Sequence, residues 1–346
     1  MIGRRIVLAA GLAAPLAARA QTSGRRPPEK GFYSSGTKQR AVRFAGGDGA
    51  SLAGTLLLPI KSELQKVPGI VLVAGSGPTD RDGNNPLVPE RIDVLKQIAQ
   101  LLAEAGIATL RYDKRGIGQS TQRPSSSFAQ QERFFSWDNF VGDVVAAQGE
   151  LVTHDEIKPY ATALLGHSEG GLLALAAAPA VTRHRPHGMV LLATPGRKMR
   201  AIVRAQIARG APNLLDAAER TMAAIEATGH VPADLPRELQ ALFPLYGGPY
   251  LQRLLAFDPA EALLHSDLPC LLLQGAADRQ VVPMEDVQPL IDALGKRSAP
   301  GEAVVVPSVS HNLKLVTWPT DPGFGGSIAP AVAAKLTGWL VPLLGA

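Results

Sequence analysis

Cysteine is all but missing from this sequence: Cys270 is the only one in 346 residues. A single thiol excludes an intramolecular disulfide, a CxxC redox pair and a cysteine-built zinc site. Lying between Pro269 and a leucine run, it is expected to be an inert core thiol. Charge is also sparse, at 19% of the chain, and apolar residues make up 46%, a balance that excludes a disordered chain. No strong excess of one sign is present. The formal net charge is +5, but Arg4, Arg5 and Arg19 fall in a first stretch of twenty residues that holds no acid. Taking those three from 35 leaves 32 basic residues against 30 acidic ones, so no nucleic-acid partner is expected. Internal repeats and low-complexity tracts are absent as well.

What is present begins with an address. Arg4-Arg5, a short apolar run over residues 6–14 and Ala18-Arg19-Ala20 have the order of a signal peptide, with cleavage after Ala20. The apolar run is too short for a bilayer, which takes about 20 residues, so no stable membrane anchor is expected. The expected location is periplasmic or secreted. The arginine pair fits a twin-arginine signal as well as an ordinary one. Residues 21–38 are polar and rich in proline and glycine and read as a disordered lead-in.

From residue 39 onward, apolar runs and helix-period segments alternate. Strands are expected at 40–44, 51–58, 69–74, 107–112, 162–165, 188–193, 269–274 and 302–306. Helices are expected at 91–105, 138–152, 169–178 and 328–344. Such alternation specifies an α/β domain with a mostly parallel, doubly wound sheet. One stretch of about 75 residues before the penultimate strand has helical patterning only, too long for a loop. It reads as an inserted helical cap, at about 197–260.

Chemistry enters with Gly166-His167-Ser168-Glu169-Gly170, a GxSxG motif between a buried strand and a helix. A serine nucleophile needs a sharp strand-to-helix turn, and flanking glycines remove the clashes of that turn. The helix N-terminus beneath it favours developing negative charge. A serine hydroxyl also needs a base. In this context the acid and then the histidine follow the serine along the chain. Of seven histidines only His311 lies beyond the last expected strand. His167 is expected to point away from the serine as a packing or wall residue. Asp278 follows the penultimate strand and can hold the His311 tautomer, whereas Asp286 and Asp292 read as surface charges. The two backbone donors of an oxyanion hole are expected from Glu169 and from Ser76, in Gly75-Ser76-Gly77-Pro78.

Other patterns have plainer readings. Asp80-Arg81-Asp82-Gly83-Asn84 lacks the ligand spacing of a calcium loop and reads as an Asx-rich turn. Gly116-Ile117-Gly118 lacks the third glycine of a dinucleotide fingerprint, and Gly75-Ser76-Gly77 lacks the ending of a P-loop. Phe128, Phe134, Phe135, Trp137 and Phe140 cluster within 13 residues. Ordinary packing at a helix start is their default, with an acyl pocket or a membrane contact as the alternatives. In the cap, Phe243 and Tyr246 are the candidates for roofing an acyl site.

GSGPTDRDGN at 75–84, RYDKRGIGQS at 111–120, GHSEGG at 166–171, and GAADRQV with SHN near the end together resemble the α/β-hydrolase superfamily. The likeness is to its serine-esterase and serine-aminopeptidase-like branch and runs from about residue 40 onward. Ala74 departs from it, because many relatives carry a loop-bracing histidine at that place. The resemblance implies an α/β-hydrolase fold and a serine hydrolase cleaving carboxylic esters of small molecules through Ser168, Asp278 and His311. It implies no metal and no organic cofactor. Peptidase, thioesterase and lipase activity stay open, as do the oligomeric state and, more remotely, a non-catalytic binding role on the same fold. The mildly positive cap offers no obvious trap for a substrate ammonium group, which favours esters over aminoacyl substrates.

Overall fold

The computed structural model describes residues 36–121 and 127–346. The expected signal peptide and nearly all of the lead-in lie outside the described residues. The first strand, β1 (Thr37–Ala45), begins within the last residues assigned to that lead-in and pairs antiparallel with β2 (Ser51–Pro59). The core strands follow as β3 (Val67–Val73), β4 (Ala108–Tyr112), β5 (Ile157–His167), β6 (Gly188–Leu192), β7 (Cys270–Gly275) and β8 (Gly301–Val306). Their order in the single sheet is β1-β2-β4-β3-β5-β6-β7-β8, and every pair from β4 to β8 is parallel.

Strand periodicity sorts the core into two layers. Val71 and Val73 of β3 face one apolar cluster, and Ile70 and Leu72 face the other. The first face is covered by α3 (Trp137–Thr153) and α4 (Glu169–Ala177), with α9 (Gln288–Lys296). The second is covered by α1 (Val94–Glu104) and α10 (Pro330–Leu344). Residues buried on both faces explain why the middle strands are continuous apolar runs.

β5 is longer than its apolar signature at 162–165, because its first half carries Lys158, Pro159 and the exposed Tyr160. α1 starts three residues later than its periodicity. The Asn84 side chain accepts the N–H groups of Ile92 and Asp93, and Asp93 is left-handed (φ 52°). A short helix that the pattern does not announce, α2 (Phe128–Phe134), precedes α3.

Between β6 and β7 the chain is helical only: α5 (Met199–Gly210), α6 (Leu215–Thr228), α7 (Gly248–Ala256) and α8 (Pro259–Leu264), with short 3₁₀ turns between. These helices dock on the aromatic cluster. Trp137 packs against Tyr250 and Phe257, Phe140 against Tyr250, and Phe135 against Tyr246. Packing is therefore the role of Phe134, Phe135, Trp137 and Phe140, all buried, while Phe128 is half exposed.

The strand order reverses at β3, since β4 lies on one side of it and β5 on the other. Loops after β3 and β5 therefore diverge and leave a crevice at the C-terminal ends of the strands, where open α/β sheets place their ligands.

Candidate active site

Ser168 sits in that crevice, at the turn from β5 into α4. Its backbone is in a sparsely populated region (φ 56°, ψ −124°), which costs about 1–3 kcal/mol in a residue with a Cβ. The turn closes only because its flanks are glycine. A Cβ on Gly166 would lie 2.2 Å from the Gly170 carbonyl oxygen, and one on Gly170 would lie 2.2 Å from that of Val73. The Ser168 N–H is tied to the Leu192 carbonyl at the end of β6 (2.8 Å), so the strain is held by the neighbouring strand.

His311 follows β8, and its Nδ1 donates to Asp278 Oδ2 over 2.8 Å. Asp278 is fully enclosed. Its Oδ1 accepts the N–H groups of Gln280 (2.8 Å) and Val281 (2.9 Å), and its Oδ2 also accepts Gln274 Nε2 (2.8 Å). Burial alone would raise the Asp278 carboxyl. The adjacent His311 and the surrounding hydrogen bonds outweigh it and hold the acid below the usual aspartate range. The arrangement keeps a carboxylate on Nδ1 and leaves Nε2 as the basic nitrogen.

Ser168 and His311 line one small cavity, of about 60 Å³. Gly75, Ser76, Thr79, Asn85 and Val88 form its wall on the β3 side, with Ile92, His167, Gln280, Asn312 and Phe324 around it. No aspartate or glutamate side chain lines it. Ser76 is buried, and its carbonyl accepts the Thr79 hydroxyl (2.6 Å). Glu169 opens α4, so its N–H has no intrahelical acceptor. Its carboxyl is buried against Tyr250 of α7.

Several expectations need correction. Phe243 and Tyr246 do not line this cavity. Phe243 is 1% exposed inside the apolar layer beneath the cap, and Tyr246 packs on the Phe135 ring. Asp286 is not a surface charge: it is fully buried, its carboxylate accepts Arg197 Nε (2.8 Å) and the Val282 N–H (2.7 Å), and it fastens the start of the cap to the helical turn (Pro283–Val287) that leads into α9. His167 is a wall residue, and it does more than pack. Its Nε2 donates to the His311 carbonyl (2.9 Å), and burial, followed by the neighbouring His311, pushes its imidazole down to about 4. Gln274, which positions Asp278, went unrecognised. Its only signal in the sequence is a polar residue ending the apolar run PCLLLQ.

The turn at 80–84 is Asx-built as expected: Asp80 Oδ1 accepts the N–H groups of Asp82 and Asn84, both at 2.9 Å. Burial, with Asp82 and Asp113 nearby, pushes the Asp80 carboxyl up to about 6. Among the described residues no group of three or more His, Cys, Asp or Glu is placed to hold a metal ion, and no helix is long and apolar enough to cross a membrane.

Residues 70–322 match the model of the alpha/beta hydrolase family. Esterase EstD of Thermotoga maritima is 29% identical over 217 residues, which span 62% of this chain and 47% of that protein. The chain thus matches about half the length of this curated relative. Among solved structures, a Pyrococcus furiosus esterase superposes with a TM-score of 0.58 at 14% identity, each chain being covered to 100%. A puromycin-hydrolyzing peptidase of Mycobacterium tuberculosis superposes with a TM-score of 0.57 at 20% identity, over 89% of this chain and 40% of its own. At these identities the structural likeness is one of fold.

Proposed function

The chain belongs to the alpha/beta hydrolase family, and on that premise we propose that it is a serine hydrolase cleaving carboxylic esters of small molecules through an acyl-enzyme. The observation that carries this reading is the enclosed His311–Asp278 hydrogen bond of 2.8 Å beside a cavity shared with the strained Ser168. Ser168 Oγ attacks the acyl carbon while His311 Nε2 takes its proton. Asp278 keeps the other ring proton on Nδ1 and stabilises the imidazolium. The N–H groups of Ser76 and Glu169 receive the oxyanion. His311 then protonates the departing alcohol, and water, activated by the same nitrogen, releases the acid.

Esters are favoured over aminoacyl substrates by the charge of the site. An ammonium group in a dry pocket needs an opposite charge, and the cavity wall has none. Three cap acids are already paired: Glu219 with Arg200 and Arg204, Glu226 with Arg200, and Asp258 with Lys198. Asp82, in the loop after β3, is paired with Arg111. The same reading places the mature protein in the periplasm or outside the cell, starting at Gln21, on the strength of residues 1–20. N-terminal sequencing of protein recovered from its host tests this, and an intact Met1 in the cytosol would refute it.

The enzymatic reading is tested by labelling with a fluorophosphonate and mapping the modified peptide. Label on Ser168, lost in Ser168→Ala together with turnover of p-nitrophenyl butyrate, is the expected result. Unchanged labelling of Ser168→Ala would overturn the assignment. Faster turnover of alanyl p-nitroanilide than of the butyrate would overturn the ester preference.

A further inference from the structure

Lys114 follows β4 within the segment RYDKRGIGQS and is 3% exposed. A buried ammonium costs several kcal/mol unless its donors are satisfied, so its partners matter. Nζ donates to the carbonyl oxygens of Gly75 and Gly77 (the latter 2.8 Å away), and these two residues flank Ser76. Sheet topology makes the reach possible, because β4 runs parallel beside β3, with Leu72 opposite Arg111. The first residues beyond each strand are therefore neighbours. Ala74, the residue before the loop, has no side chain with which to brace it.

In a trans peptide the C=O of one residue and the N–H of the next point in opposite directions. An ammonium that holds the Gly75 carbonyl on one side directs the Ser76 N–H to the other. The loop passes directly over the nucleophile: a Cβ on Gly75 would lie 3.4 Å from the Ser168 Cβ. The cation also polarises the peptide it holds, which strengthens that N–H as a donor. Behind the second donor lies the buried Glu169 carboxyl, hydrogen-bonded to Tyr250 and within the field of Lys114. We propose that Lys114 is the positioning residue of the oxyanion loop, fixing the direction and donor strength of the Ser76 N–H through its bonds to Gly75 and Gly77. The inference rests on reading Ser76 as an oxyanion donor. Burial lowers the ammonium to about 8 and Glu169 opposes that fall, so the group is mostly charged at neutral pH.

Lys114→Met keeps most of the side-chain length and removes both charge and donors. With p-nitrophenyl butyrate, kcat should fall about 10²-fold while KM stays within about twofold. Affinity for a trifluoromethyl ketone, which forms a tetrahedral oxyanion on the serine, should fall by the same factor as kcat. Affinity for butyramide, a neutral ligand without that oxyanion, should stay within about twofold. Equal weakening of both ligands, or an unchanged kcat in folded Lys114→Met, would overturn the proposal. If Lys114→Met does not accumulate folded, Lys114→Gln, which keeps an N–H donor without the charge, is measured in the same way and should lose ketone affinity selectively. Wild-type enzyme, labelled at Ser168, is the control. Failure of the control removes the esterase reading, whereas a valid control with indifferent Lys114 variants removes this inference alone.

Discussion

The imidazole of His167 carries the backbone of His311: Nε2 of the residue before Ser168, the proposed nucleophile, donates to the carbonyl of the proposed base over 2.9 Å, and the two rings lie 5.0 Å apart. A carbonyl can only accept, so His167 Nε2 carries a proton, and burial, which lowers the imidazole to about 4, leaves the ring as the neutral Nε2–H tautomer at pH 7. The turn that carries Ser168 and the loop that carries His311 are thereby joined through a contact that involves neither the Ser168 hydroxyl nor the His311 ring nitrogens.

That tautomer predicts an acid limit to stability. His167 titrates near 4 in the folded chain and near 6.5 when unfolded. Between those values the unfolded state binds the extra proton, so stability is lost as pH falls from about 6.5 to about 4, by up to about 3 kcal/mol. Asp80 acts with the opposite sign. Its carboxyl is raised to about 6 in the fold, so stability is lost as pH rises from about 3.8 to about 6. The two partly cancel, and single variants separate them. His167→Gln should flatten the acid side of a urea-denaturation series between pH 6.5 and 4. Asp80→Asn, which keeps an acceptor for Asp82 and Asn84, should stabilise the protein at pH 7. Unchanged profiles in both variants would remove these assignments.

Strain at the turn gives a second prediction. Ser168 occupies φ 56°, ψ −124°, which glycine adopts at little cost and any residue with a Cβ does not. Both Ser168→Gly and Ser168→Ala should lose turnover, but the glycine variant should be the more stable by about 1 kcal/mol. Thermal melts compare them directly. An alanine variant as stable as the glycine variant would mean that the turn is relaxed.

A third prediction concerns a buried ion pair that ties the segment after β4 to α3, with the β1–β2 turn as a further partner. Arg115 is wholly buried, and its Nη2 donates to Asp143 Oδ1 over 2.6 Å, while Asp48 of the β1–β2 turn adds a partner at 3.1 Å. Asp143 is itself buried, whereas the Asp48 side chain is 36% exposed. Asp143→Ala leaves a buried guanidinium without its main partner and should cost about 3–5 kcal/mol. Asp48→Ala leaves Asp143 in place and should cost markedly less. Chemical denaturation of the two variants decides, and equal losses would contradict the ranking.

How much of this was legible in the sequence follows from the range of each interaction. Strand and helix identity came through because the signals are local. Val71 and Leu72 belong to a run buried on both faces, and Gly166 and Gly170 flank Ser168 within five residues. Asp278 and His311 were legible by order along the chain rather than by contact. Interactions that close only in three dimensions were not. Lys114 reaches Gly75 across 39 positions, Arg197 reaches Asp286 across 89, and His167 reaches His311 across 144. Phe243 failed for a related reason, since an apolar residue in a cap can face either the substrate or the core, and periodicity does not distinguish the two.

The cap correction yields the last prediction. Phe243 is 1% exposed and packed in the apolar layer that joins the cap to α3 and α4. Phe243→Ala should therefore cost about 3–5 kcal/mol of stability and lower kcat/KM for p-nitrophenyl acetate, butyrate and octanoate by similar factors. Val88 and Phe324 line the cavity at Ser168 and are only partly buried. Both also pack at the edge of the apolar layer on the α1 and α10 side, so truncating them removes wall and only the margin of that layer. Their side chains stand in the wall beside Ser168, so Phe324→Ala or Val88→Ala should raise the octanoate-to-acetate ratio of kcat/KM while lowering the melting temperature less than Phe243→Ala does. One methylene in an apolar pocket is worth about 1–3 kcal/mol, so the ratio should move at least about tenfold. If Phe243→Ala shifted that ratio at an unchanged melting point while Phe324→Ala left it alone, the acyl wall would lie under the cap instead.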